Sequence, residues 1–142
     1  MTISVPAFGA NIVIGGLDDL DFGRVTPTSG TVRQSTRVCV AVDDPGRYSL
    51  VATGDGPGGQ FLLDGGIALL PFRAFFSDTA DRRGRELRTA QPLRNLRAKR
   101  IEGNRGCQRR NSRLTVLFDG SDLQAMPSGS YRGTLTLMVT PE

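Results

Sequence analysis

The chain has 142 residues and a mass of 15.3 kDa, the size of one domain and long enough to bury a full hydrophobic core. Histidine is absent, which removes Ser-His-Asp and Cys-His catalysis and every zinc site built on imidazole, and no apolar run approaches the roughly 18 residues of a membrane span. The formal net charge is +4, but residues 82–113 carry eleven Arg and Lys99 against Glu86 and Glu102, while residues 1–81 carry five Arg against nine Asp.

Residues 3–14 alternate imperfectly and read as extended, with Ile12 and Ile14 on one face, until Gly15-Gly16 breaks them. Leu17-Asp18-Asp19-Leu20-Asp21-Phe22-Gly23 follows, with Leu20 and Phe22 on one face, and then a Thr-Pro-Thr-Ser-Gly turn cluster. Residues 31–42 are rich in β-branched side chains and end at Asp43-Asp44-Pro45-Gly46, a strong turn signal. Within them Val38, Val40 and Val42 share one face and Cys39 falls on the other, beside Arg37 and Ala41. Residues 48–53 read as a short strand, and Gly54-Asp55-Gly56-Pro57-Gly58-Gly59 as a hairpin loop. That loop lacks the Lys-Ser/Thr of a phosphate cradle, and Pro57 removes an N–H donor.

Residues 61–63 read as another strand, Asp64-Gly65-Gly66 as a turn, and residues 67–77 as one central strand. Residues 78–84 are a polar loop, and residues 86–100 irregular strand and loop, because Pro92 and the neighbouring glycines disfavour a helix. Residues 113–118 alternate, with Leu114, Val116 and Phe118 on one face. Ser121-Asp122-Leu123 opens one capped helical turn. Residues 131–139 close the chain, with Tyr131, Leu135, Leu137 and Val139 on one face. Short strands at regular spacing, with Gly and Pro turns between them, indicate an all-β sandwich or barrel without repeat or second domain.

Chemistry-bearing clusters are scarce. Asp18, Asp19 and Asp21 lack the downstream Glu of a calcium loop, so no metal site is assigned, and no cofactor. The scattered carboxylates offer no acid/base pair, which argues against an enzyme. Tyr48 and Tyr131 read as packing and corner residues. The basic segment, with Arg82, Arg83, Arg85, Arg88, Arg94, Arg97, Arg100, Arg105, Arg109 and Arg110, reads first as a solvated loop that is mobile and dispensable for folding. Its functional alternative is adhesion to a polyanion or glycan. No helix-turn-helix, RNA-binding or zinc motif accompanies the charge, so specific nucleic-acid binding is not expected. Cys39 and Cys107 are an even pair without a CxxC motif: one disulfide in a secreted β-domain, two unrelated thiols in the cytosol. Met1-Thr2-Ile3-Ser4-Val5 shows no signal-peptide n-region, which suits a cytosolic chain or the mature form of an exported one.

Several segments, in order, resemble the spore coat protein U group, the subunits of archaic chaperone–usher pili and their relatives. Leu20-Asp21-Phe22-Gly23 is similar to the "LDFG" start of these pilins. Gly46-Arg47-Tyr48-Ser49-Leu50, the Gly-rich loop, and Leu70-Pro71-Phe72-Arg73-Ala74-Phe75-Phe76-Ser77-Asp78 follow in the family's order. Gly129-Ser130-Tyr131-Arg132-Gly133-Thr134-Leu135-Thr136-Leu137-Met138-Val139 resembles its closing strand. The family's Trp-Gly-rich stretch is missing, and the basic segment has no counterpart in the pattern.

The resemblance implies an immunoglobulin-like sandwich that lacks one edge strand. It implies an N-terminal extension over residues 1–16 and a single pilin-like domain over residues 17–142. The extension would be a donor strand, with Ile3, Val5, Ala7, Ile12 and Ile14 as its small or apolar side chains, although Pro6 and Gly9 weaken its ladder. The last strand, through Tyr131, Leu135, Leu137 and Val139, would border the groove left by the missing strand, and Gly133 would leave room for a close neighbour. The implied role is a structural subunit of a bacterial surface fimbria, exported through the periplasm and assembled by strand exchange. Its implied partners are other pilin subunits, a periplasmic chaperone and an outer-membrane usher. The resemblance also implies the Cys39–Cys107 disulfide. A stand-alone or tip adhesin module, binding a glycan or polyanion through the basic loop, is the alternative.

Overall fold

The computed structural model describes residues 2–4, 12–15, 30–42, 47–79, 82–97, 99–100 and 112–141. Twelve strands, one α-helix and a 3-10 turn at Pro57–Gly59 lie among them. In chain order they are β1 (Thr2–Ser4), β2 (Ile12–Gly15), β3 (Val32–Val42), β4 (Arg47–Gly54), β5 (Leu62–Asp64) and β6 (Leu69–Pro71). Then come β7 (Arg73–Ser77), β8 (Arg85–Leu87), β9 (Leu93–Arg97), β10 (Lys99–Arg100), β11 (Ser112–Phe118), α1 (Gly120–Ala125) and β12 (Thr134–Pro141). Among the described residues, no helix is long and apolar enough to cross a membrane.

Two sheets face each other. The first runs β1-β12-β4-β9; the second runs β10-β3-β11-β7-β8, with β2 also paired to β3. The alternation of side chains decides what lies between them. Tyr48, Leu50 and Ala52 on β4 and Leu135, Leu137 and Val139 on β12 point inward from the first sheet. Val38 and Val40, Ala74 and Phe76, and Leu114, Val116 and Phe118 meet them from the second. Each large apolar side chain enclosed in this way stabilises the fold by about 1.5–3 kcal/mol. The result is an immunoglobulin-like β-sandwich, as the spacing of short strands indicates.

The span 67–77 differs from the expected single strand. It divides at Phe72 into β6 and β7, which belong to different sheets. Asp64 accepts the Gly66 N–H at 2.7 Å, and Gly66 adopts φ +90°. This turns the chain so that β6 pairs back on β5. The Phe72 N–H then donates to the Phe61 carbonyl at 3.0 Å, after which β7 leaves to pair with β11. Gly133 does accommodate a close neighbour, and that neighbour is this hairpin: a Cβ at Gly133 would lie 2.6 Å from Leu63 Cδ2 and 2.9 Å from the Leu62 carbonyl oxygen.

The helical turn is present, but Asp119 is its N-cap and no side chain caps it. Leu123, 3% exposed, anchors it to the core.

The basic segment is the main correction. Instead of a dispensable loop, its described part supplies an edge strand to each sheet. β8 pairs with β7 and β9 pairs with β4. Leu87 and Leu96 enter the core, while Arg82, Arg83, Arg85, Arg88, Arg94 and Arg97 remain exposed. The physical reason is that one inward leucine per short strand suffices to fix it, while the long cationic side chains stay in water. Charged side chains on the outermost strands also discourage pairing with another sheet. Arg85 reaches across the seam to the Arg94 carbonyl at 2.5 Å, tying the two edges together.

Candidate functional site: the edge of the last strand

On the far side of the sandwich, β12 is the strand whose outer edge the sequence singles out. Its inner face is fully committed to the core: Leu135 and Leu137 are 0% exposed and Val139 is 2% exposed. Its inner backbone edge is laddered antiparallel to β4 along its length, from Leu135 opposite Gly54 to Pro141 opposite Tyr48. The start of the strand is pinned from below. Asp55 accepts the Thr134 N–H at 3.0 Å, and Arg132 exchanges two backbone hydrogen bonds with Asp64. Tyr131 is half-buried and donates its hydroxyl to the Pro127 carbonyl at 2.7 Å, a corner role.

The outer edge carries the chain's own N-terminus. β1 pairs parallel to β12, with Thr2, Ile3 and Ser4 opposite Thr134, Leu135 and Thr136. β2 pairs antiparallel to the end of β3, from Ile12 opposite Val42 to Gly15 opposite Cys39, and also packs near β12. The stretch proposed as a donor strand and the strand proposed as its acceptor are therefore brought together within one chain. Of the named donor positions, Ile3 lies on β1 and Ile12 and Ile14 lie on β2; Val5 and Ala7 fall outside the described residues, as does Leu17–Gly23.

The outer face of the second sheet holds a cluster that the sequence did not reveal. Arg37 on β3 stands directly opposite Arg113 on β11, and Arg33 two rows away stands opposite Leu117, which in turn faces Arg73 on β7. Between these rows lie Ser35, Thr115 and Phe75, the first two hydrogen-bonded at 3.0 Å. Phe75 points away from the core yet is 4% exposed, because Arg73 and Arg83 cover its ring at 5.2 and 4.5 Å. Glu86 is an acid on this face. It pairs with Arg73 at 2.7 Å, and that hydrogen bond holds its carboxyl below the usual range. The available signal was the alternation Arg33-x-Ser35-x-Arg37, but cross-strand register is not local information.

The remaining named sites are dispersed. Arg85, Arg94 and Arg97 sit on β8 and β9; Arg88 and Gln91 line an open groove of about 690 Å³ floored by the stacked pair Phe61 and Phe72. Arg100 lies on β10, and Arg105, Arg109 and Arg110 fall outside the described residues. Cys39 lies on the face of β3 away from the main core, as its alternation indicates, yet is 3% exposed. Cys107 falls outside the described residues.

Comparison with known proteins yields no matching family model and no matching curated protein. Among solved structures, the chain is similar to one described as "Chaperone-tip adhesin complex is vital for synergistic activation of CFA/I fimbriae biogenesis". The TM-score is 0.63 at 18% identity, over 93% of this chain and 43% of that one. At that identity the likeness establishes the shared sandwich fold, and this chain spans less than half the length of its structural neighbour.

Proposed function

We propose that the chain is a structural subunit of a bacterial surface fimbria, assembled by donor-strand exchange through a chaperone–usher system. The observation that carries this reading is β1 lying along the outer edge of β12. An N-terminal segment that adds itself to the last strand is chemically competent to add to the same strand of another copy, because the ladder is made of main-chain groups. The pairing within the chain covers three residues, whereas β12 extends from Thr134 to Pro141. A longer donor from a neighbouring subunit would therefore form more hydrogen bonds and displace it. The likeness to a chain from a chaperone–adhesin complex supports the same reading, as do the residues that resemble spore coat protein U-type pilins. On this reading the chain is not an enzyme. It passes through the periplasm to the cell surface, and its partners are other pilins, a periplasmic chaperone and an outer-membrane usher. The alternative, a tip or stand-alone adhesin module, is favoured by the cationic outer face of the second sheet.

The test is a chain lacking residues 2–14, titrated with a synthetic peptide of that sequence. The expected result is a melting temperature that rises with peptide concentration, by the equivalent of about 2.7 kcal/mol at a hundredfold excess over Kd. A shortened chain that stays monomeric and equally stable, with no response to peptide, overturns strand exchange and favours the adhesin module.

A further inference from the structure

We propose that the outer face of the sheet formed by β3, β11, β7 and β8 binds an acidic polysaccharide, with Arg37 and Arg113 as the central anion-gripping pair. Like charges placed directly opposite on neighbouring strands destabilise a sheet. The register sets Arg37 against Arg113 in that arrangement, with side-chain roots about 5 Å apart. The salt bridges among the described residues join Arg73 to Glu86 and Asp119 and leave both Arg37 and Arg113 without an acid. Arg113 also has its Nε enclosed without a hydrogen-bond partner. A carboxylate or sulfate seated between the two guanidinium heads would remove the repulsion.

Arg33 continues the cationic row on the same strand, about 13 Å from Arg37. Arg73 and Arg83 flank it across the sheet. A sheet face with cations in successive rows suits an extended linear polyanion better than a small ion.

Two other polyanions fit less well. A single-stranded nucleic acid needs exposed aromatic rings for its bases, and the aromatic side chain of this face is already capped by two guanidiniums. An anionic membrane needs apolar side chains to insert. Among the described residues the exposed large apolar side chains are Val32, Ile67, Leu69 and Met138, and none of them lies on this face.

The inference stands independently of strand exchange, because it concerns the opposite sheet and is read on the full chain. Heparin serves as the probe, with poly(dT), phosphatidylglycerol vesicles and uncharged dextran as comparisons. Heparin should bind in a salt-dependent manner and more tightly than the other three. R37Q combined with R113Q should weaken heparin binding at least about tenfold, whereas R94Q combined with R97Q, an equal charge loss on β9, should change it less than about twofold. R37Q alone should raise the melting temperature of the unliganded chain while weakening heparin binding, a combination that a purely structural arginine would not give. If the double variant does not fold, R33Q supplies the affinity comparison against the β9 pair. Equal losses in the two sets of variants, absence of heparin binding at physiological salt, or tighter binding to poly(dT) or to vesicles would each overturn the proposal.

Discussion

Tyr48 shows how much a single residue can contribute to the pH range of this fold. It is a large side chain of the core, 0% exposed, and its hydroxyl is enclosed without a hydrogen bond of ordinary geometry. Burial raises its pKa well above the usual range, and the neighbouring Ser112 only partly offsets that. The direction of the stability effect follows. The folded state holds the proton to higher pH than the unfolded state, whose tyrosine titrates near about pH 10. Stability is therefore undiminished below about pH 10 and falls above it, with a limiting slope of about 1.4 kcal/mol per pH unit. Tyr48→Phe should flatten that alkaline decline. At neutral pH it should change stability by less than about 1 kcal/mol, because the hydroxyl it removes makes no hydrogen bond of ordinary geometry. Denaturant titrations of both proteins from pH 7 to 11 check both statements; an undiminished alkaline decline in the variant would place its origin elsewhere.

At the scale of elements, the described part of the basic segment is informative because its leucines and its arginines do different things. β8 and β9 are held by Leu87 and Leu96, and their arginines face water. Leu96→Ala should therefore destabilise the domain by about 2–5 kcal/mol, the range for emptying a packed core position. Arg94→Gln with Arg97→Gln should stay within about 1 kcal/mol by the same denaturation assay, since both side chains are exposed. The reverse ranking would mean that charge rather than the buried leucine fixes the strand. β1 lies at the other extreme of the sheet: a three-residue parallel pairing is short for a strand, and short edge pairings open at low cost. The sandwich thus has one side closed by leucine-anchored strands and one side closed by a brief N-terminal pairing.

For the whole molecule, the remaining question is how the two cysteines are used. Cys39 is buried in the second half of β3, where it stands opposite Gly15. A bridge to Cys107 would close a loop of about 68 residues and stabilise the fold by roughly 4 kcal/mol on the chain-entropy model. We expect no titratable thiol per chain in denatured, unreduced protein, and a lower melting temperature after reduction. Two free thiols would exclude the bridge, and would also count against export through an oxidising compartment.

The sandwich was legible in the sequence wherever the period-2 pattern was clean. Leu114, Val116 and Phe118, and Leu135, Leu137 and Val139, announce their inward faces without any partner, because alternation is a property of one strand. The tertiary structure decided the rest. That residues 67–77 divide between two sheets depends on what Phe61 and β11 offer at Phe72. That residues 86–97 form edge strands depends on single leucines finding a core built by distant segments. That Arg37 faces Arg113, and that the N-terminus runs parallel to β12, depends on register between strands more than 70 residues apart. A single strand encodes which of its faces turns inward. It does not encode which residue of another strand will stand opposite, because that is set by the packing of the assembled core.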